Sequence, residues 1–333
     1  MLGSDRPVPK LSVIIPTIGR NKEVADTVFD LSRQNRTDFE IVIVTQSDDR
    51  LVSVQETLCE TGVSGRCFRL QEPNASLARN IGILESKGEV LLFLDDDLAI
   101  PNQGFLSAHL SHYCDPKSSG IMGQILDPTE VTRRRLHRFA ASRRNGWLFF
   151  PGNYAFSATV RSGISCNLSV RREWAIEVGG MDAQFEKGGH REEADFCLRY
   201  TDRFGPLNFD PNSSVIHLQV RGGGCRSGTE QSKKPARIAP HHLQCEWYFL
   251  RRGLKLGTIR VLDLPLHMVA LFRRQIATRK LLDIPQRTFA SIAAWRAASR
   301  RVSQTPRYLS SVSSDVYELL WQTEPQKQRG LGG

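Results

Sequence analysis

The sequence predicts an α/β protein with a mostly parallel sheet covered by helices, followed by a helical C-terminal region. Three observations carry that expectation. Short, nearly all-apolar runs alternate with segments of helical spacing. The runs are apolar on both faces, as strands covered on both sides must be. Three of them end in polar turns: PTIGR after the first, QSDD after the second and DDD after the fourth.

Leu11–Ile15 (LSVII) predicts the first strand, stopped by Pro16-Thr17, and a helix follows over about 22–33. Glu40–Thr45 (EIVIVT) is mostly β-branched and predicts the second strand. A helix over about 51–60 leads to a short third strand at Cys67–Leu70. Ser76–Lys87 has helical spacing, with Leu77, Ile81 and Leu84 on one face and Gly88 as its C-cap. Val90–Leu94 then predicts a buried strand running into Asp95, Asp96 and Asp97.

Beyond residue 101 the pattern is less regular. Residues 102–114 predict a helix, Gly120–Leu126 a strand, and Thr132–Arg144 is strongly basic. Gly163–Val170 predicts a strand, Arg172–Val178 a helix, Gly179-Gly180 a break and Glu192–Asp202 another helix. Val215–His217 predicts a short strand before the glycine run RGGGCR. From His241 onward helices are expected over 241–252, about 261–282, 286–301 and near 314–321.

At 333 residues the chain can bury a sizeable core, and its 40% hydrophobic and 24% charged residues are those of an ordinary globular protein. The seven cysteines are odd in number, scattered and never spaced CxxC. That argues against a disulfide framework and a zinc site, and suits a reducing cytoplasm. MLGSDRPVPK has no apolar signal-peptide core, so no export signal is expected, and Leu262–Phe272 is too short and too interrupted to span a bilayer. The net charge of +10 is concentrated late: from Arg226 onward there are 19 Lys+Arg against 7 Asp+Glu, whereas the residues before it carry 26 against 28. Such a tail is either a solvated basic helical surface or an attraction for an anionic membrane, nucleic acid or acidic partner.

In open parallel sheets ligands sit beyond the carboxyl ends of the strands. PTIGR, QSDD and DDD then line one edge, and the aspartates project into the ligand cleft. Three like charges this close repel unless a cation or water relieves them. Their hard oxygens suit Mg²⁺ or Mn²⁺, which complete their shells with water and phosphate oxygens. The alternative is an acidic loop held in solvent.

LSVIIPTIGR, EIVIVTQSDD, NASLARNIGILESKGEVLLFLDDD and GGMDAQFEKGGHREEADFCLR, taken in that order, resemble the family-2 glycosyltransferases. The resemblance covers roughly residues 10–225 and implies the GT-A fold, a Rossmann-like sheet that binds a nucleotide-sugar; residues 226–333 would form a separate basic helical region. It implies that Asp97 ligates the metal while Asp95 and Asp96 approach the ribose and diphosphate. Pro16, Thr17 and Arg20 of PTIGR would lie against the base, and Arg79 and Asn80 would border the nucleotide with Asn74 nearby. Ser165, Cys166 and Asn167, together with Asp195, would border the donor sugar and acceptor.

The chain departs from the family's pattern at two places. The turn after the second strand usually reads Asp-Asp-Gly-Ser; here Gln46 stands where an aspartate reads the pyrimidine edge, and a Gln amide can pair with a uridine or thymidine imide. The usual Gly-Glu-Asp-x-Asp is His190-Arg191-Glu192-Glu193-Ala194-Asp195. Glu193 therefore takes the position of the general base, with Glu192 beside it; the alternative is a pair of acids favouring a helix N-terminus. His217 either completes the metal shell or is an ordinary hydrogen-bonded residue. Gly222–Gly224, between Arg221 and Arg226, are either a mobile lid over the diphosphate or a flexible loop.

The expected activity is metal-dependent transfer, with inversion, from a UDP- or dTDP-sugar to a glycan or lipid-linked acceptor in polysaccharide or glycoconjugate biosynthesis. The expected place is the cytoplasm or the inner membrane face, with Trp247 and Tyr248 as interfacial anchors. A catalytically inactive nucleotide-sugar-binding subunit is the runner-up. A nucleic-acid-binding protein ranks last, since only the tail charge supports it, and no nucleic-acid partner is expected.

Overall fold

The computed structural model describes residues 10–129, 152–186, 189–220, 240–269 and 283–324. The basic stretch 132–144, the glycine run with its proposed lid, and residues 270–282 of the expected second C-terminal helix lie outside them.

The strands are β1 (Leu11–Thr17), β2 (Phe39–Thr45), β3 (Ser64–Leu70), β4 (Val90–Leu94), β5 (Leu98–Ala99), β6 (Gly120–Leu126), β7 (Ala158–Val160), β8 (Asn167–Arg171), β9 (Leu207–His217) and β10 (Tyr317–Thr323). The helices are α1 (Asn21–Ser32), α2 (Val52–Thr61), α3 (Ala75–Glu85), α4 (Phe105–Ser111), α5 (Arg172–Glu177), α6 (Glu192–Phe204), α7 (Pro240–Leu256) and α8 (Asp283–Val302). One sheet runs β10-β3-β2-β1-β4-β8-β6-β9-β5, with β7 also on β9.

The first four strands are parallel, as their two-sided apolar character predicts. The later strands change the sheet's character. β8 is antiparallel to both β4 and β6, and β9 is parallel to β6 but antiparallel to β5 and β7. The sheet is therefore mixed, and its parallel part is the half that bears the aspartates.

Two apolar layers cover it. On one face α1, α2 and α4 bury Val24, Val28, Val54, Leu58 and Phe105 against the odd positions of β1 and β2. On the other, Leu77, Ala78 and Ile81 of α3 meet Val42 and Val44, while Phe196 and Tyr200 of α6 meet Phe93 and Leu168. Leu84 does not share this face; it is exposed, and Ile83 is buried instead. α3 lies so close to β1 that a Cβ on Gly82 would overlap the Ile14 side chain. Gly88 is not its C-cap: the helix ends at Glu85 and is capped at Ser86. Gly88 is small for another reason, since a Cβ there would stand 2.6 Å from the Ser12 nitrogen.

Three further expectations are corrected. The strand expected over 163–170 begins only at Asn167, which leaves Ser165 and Cys166 in the turn before β8. The short strand expected at 215–217 is the end of the eleven-residue β9. The helix expected near 314–321 is a strand, β10, antiparallel to β3 along the sheet edge. YELLWQT can alternate because a register shift between Leu319 and Trp321 accompanies the inward turn of Trp321 and Thr323. Tyr248 is buried, with its hydroxyl donating to Asp182 at 2.6 Å, and Trp247 is half-buried, so neither stands free as an interfacial anchor. Phe289, Ile292 and Trp295 of α8 are exposed, as are Val261, Leu262 and Val269. No helix among the described residues is long and apolar enough to cross a membrane.

Candidate active site

Parallel pairing of β2, β1 and β4 puts their carboxyl ends side by side, and the three polar turns meet there. Pro16, Thr17, Arg20, Gln46, Arg79, Asp95, Asp96, Asp97 and His217 line one cleft, joined by Ile18, Ala75 and Gln219. Those last three carry no chemical signal in the sequence; only the fold brings them in.

The aspartates are held by different partners, and this separates their chemistry. Asp96 is buried, accepting from the Thr17 hydroxyl at 2.6 Å and from Arg20 at 2.8 Å. Burial pushes its carboxyl up to about 6, against the pull of Thr17 and Arg20. Burial also acts on Asp97, but His217, Arg20 and the Val220 N–H outweigh it and hold the carboxyl below the usual range. Asp95 is the most open of the three and meets Arg79 at 3.3 Å. The turn is fixed from behind by Thr27, whose hydroxyl lies 3.0 Å from the Asp96 carbonyl oxygen and accepts the Leu98 N–H at 3.1 Å.

A divalent cation fits this donor set. Among the described residues the buried Asp97 Oδ1 receives no well-aligned hydrogen bond, and His217 Nε2 lies 3.2 Å from it. A buried carboxylate oxygen paired with an imidazole nitrogen is a donor pair that an oxygen- and nitrogen-liganded cation would suit. Arg20 spans Asp96 at 2.8 Å and Asp97 at 3.1 Å, offsetting their mutual repulsion.

Across Arg79 from Asp95, outside the residues that line the cleft, α6 begins with Glu192 and Glu193. Arg191 precedes them in the left-handed region at φ 73°, and its guanidinium, with His190, is held by Glu246 of α7. Glu193 Oε2 accepts from the Ser165 hydroxyl at 2.8 Å. Glu192 is buried; burial first and the Glu193 charge second push its carboxyl up, while Arg79 at 3.4 Å opposes them. Arg79 thus reaches Asp95 with one amino group and Glu192 with the other, so the two acidic clusters share its guanidinium. Cys166 lies close by, its thiol pushed well above the usual range by burial and then by Asp95, Asp97 and Glu193.

Four of the predicted residues are committed to the framework. Asn74 caps α3 by accepting from Leu77 N–H and donates to the Ala183 carbonyl, and Asn80 pairs with both backbone groups of Met181. Asn167 is buried between strands, donating to the Gln124 and Ser213 carbonyls and meeting His109. Asp195 pairs with Arg199 and with Arg252 of α7. Gln46 lines the cleft while its Oε1 accepts the Asn74 N–H at 2.8 Å.

Residues 12–179 match the family described as glycosyl transferase family 2, and the chain belongs to that family. It is 36% identical over 243 residues to an uncharacterised glycosyltransferase of Haemophilus influenzae, an alignment covering 67% of this chain and 74% of that protein. Two solved structures share its fold. One is Staphylococcus aureus TarS, residues 1–349, in complex with UDP-GlcNAc, with TM-score 0.54 and 15% identity over 89% of this chain and 92% of that one. The other is the mannosyltransferase PcManGT from Pyrobaculum calidifontis in complex with GDP-Man and Mn²⁺, with TM-score 0.52 and 16% identity over 88% and 87%.

Proposed function

We propose that this glycosyltransferase is metal-dependent and inverting, and moves a sugar from a UDP- or dTDP-sugar to a hydroxyl of a glycan or lipid-linked acceptor. The observation that carries the reading is Arg79, whose guanidinium ties the strand-end aspartates to the start of α6. The complexes of TarS with UDP-GlcNAc and of PcManGT with GDP-Man and Mn²⁺ support a nucleotide-sugar donor and a divalent cation.

Asp97 and His217 would hold Mg²⁺ or Mn²⁺, which when bound neutralises charge developing on the departing diphosphate. Asp95, Asp96 and Arg20 position the ribose and diphosphate in this reading. Glu193 takes the acceptor's hydroxyl proton; the Ser165 hydrogen bond fixes one carboxylate oxygen and leaves the other to face the acceptor. The acceptor oxygen bonds to the anomeric carbon as the bond to the diphosphate oxygen breaks. One displacement with no enzyme nucleophile inverts that carbon. Residues 10–225 carry the donor site in this proposal. The region from 226 to 333 meets the acceptor or a membrane surface, apart from β10, which belongs to the sheet.

Titration calorimetry with UDP, dTDP and GDP, each with and without Mn²⁺, tests the donor site. Mn²⁺-dependent binding of UDP or dTDP, lost in Asp97→Ala, is expected. Binding of none of them by folded protein overturns the assignment, and binding of GDP alone overturns the pyrimidine donor.

A further inference from the structure

The cleft contains a second donor set, which shares Asp95 and His217 with the proposed reaction and adds Cys166, which that reaction leaves unused. One ligand atom each from Asp95, Cys166 and His217 lie within 4.8 Å of one another. Asp95 and His217 line the cleft, so a cation entering from solvent meets them first, and Cys166, 2% exposed, closes the set from beneath. The same His217 nitrogen lies 3.2 Å from the buried Asp97 Oδ1, which sets a second carboxylate beside the three donors.

The two sets differ in chemistry. Asp97 with His217 offers oxygen and nitrogen, which Mg²⁺ and Mn²⁺ accept. Cys166 adds sulfur, which those ions take poorly and which Zn²⁺ and Cd²⁺ prefer. Tetrahedral ligands of one Zn²⁺ at about 2.0–2.3 Å lie roughly 3.3–3.8 Å from one another, so the side chains must draw in by about an ångström to close the set.

We infer that Asp95, Cys166 and His217 form a site for a thiophilic divalent cation that competes with the Mg²⁺ or Mn²⁺ of the donor complex. As the Sγ–metal bond forms, the thiol proton leaves to solvent. The competition follows from shared ligands: His217 cannot serve both ions, and Asp95 is withdrawn from the ribose and diphosphate. The inference deepens the donor-site reading and rests on it only for what the thiophilic ion displaces.

The test uses the full chain with Cys59, Cys114 and Cys225 replaced by serine; the first two are exposed and the third lies outside the described residues. Cd²⁺ is titrated while the thiolate-to-Cd²⁺ charge-transfer absorption is followed. One thiolate per chain, saturating at one equivalent, is expected. Cys166→Ser on that background loses the band, and His217→Gln keeps the fold's cysteines but weakens Cd²⁺ by about tenfold or more. In the same protein, one equivalent of Zn²⁺ weakens apparent UDP–Mn²⁺ binding by a similar factor.

A missing band in the background chain overturns the site. So does a band of unchanged affinity in either variant. Because UDP–Mn²⁺ binding is measured separately, the two readings fail differently. Nucleotide binding without a cadmium band sinks only the thiophilic site, and a band without nucleotide binding sinks only the donor reading.

Discussion

Glu193 and His109 illustrate how the setting of one side chain decides its chemistry. Glu193 meets the Ser165 hydroxyl, whereas its neighbour Glu192 is buried against Arg79. Glu193→Gln keeps the size and the Ser165 contact but cannot take a proton. It is expected to lower donor turnover, read as nucleoside diphosphate release, by about 10²–10⁴-fold with nucleotide affinity within about twofold. Undiminished turnover would remove Glu193 as the base. His109 lies far from solvent between Asn167 and Ser169, and burial pushes its imidazole down to about 4, with the Asn167 hydrogen bond pulling the other way. The folded state therefore binds fewer protons than the unfolded chain between about pH 4 and 6.5. The stabilisation is full above 6.5 and is lost as pH falls toward 4, at about 1.4 kcal/mol per unit of pKa depression. Urea midpoints from pH 7 to 4.5 should fall less steeply in His109→Gln than in the wild type; equal slopes would refute it.

Among the elements, α3 does most to place the site. Its N-cap Asn74 turns the chain out of the Gln46 wall, and its second turn carries Arg79 and Asn80 toward the acids and the 181–183 segment. Asn74→Ala removes both the cap and the tie to Ala183 and is expected to destabilise by about 1–2 kcal/mol. Gly82→Ala pushes a methyl into Ile14 of β1 and should destabilise by about 1–3 kcal/mol. If nucleotide affinity in Gly82→Ala falls by more than the loss of folded protein explains, α3's distance from β1 sets Arg79. Denaturant titration alongside nucleotide titration separates the two.

At the scale of the whole molecule, the C-terminal region is bound into the catalytic fold from two sides. β10 covers the β3 edge, and Trp321 donates to the Arg50 carbonyl at 2.8 Å. α7 contributes Arg252 to a buried network with Asp182 and Asp195, which also draws in Tyr248 and Tyr308. Arg252→Met leaves buried Asp182 without its cation and Asp195 with Arg199 alone, and is expected to destabilise by about 3–5 kcal/mol, read as a lowered urea midpoint. The outer face of α8 has a different use in the proposed reading. Phe289, Ile292 and Trp295 are exposed near Arg296 and Arg300, an amphipathic basic face suited to an anionic bilayer. Co-sedimentation with phosphatidylserine-containing vesicles should weaken in Phe289→Ser/Trp295→Ser and at high salt. Binding unaffected by either would exclude this face.

Local sequence was enough for the four parallel strands, their helices and the meeting of three polar turns, because uninterrupted apolar runs and strand-end punctuation are short-range signals. It also marked Asp95–Asp97 and the acids at 192–193 as unusual. It did not reveal that Asn74, Asn167 and Asp195 serve the framework, since a polar side chain's partner is set by what lies opposite: Ala183, Ser213 and Arg252 are far away in the chain. Nor did it reveal β10, whose pairing with β3 spans some 250 residues and shifts register midway. Composition and periodicity determined which segments had to be buried. Only tertiary contact decided which polar atoms were consumed in holding them and which, such as the paired Asp97 and His217, were brought together along the cleft.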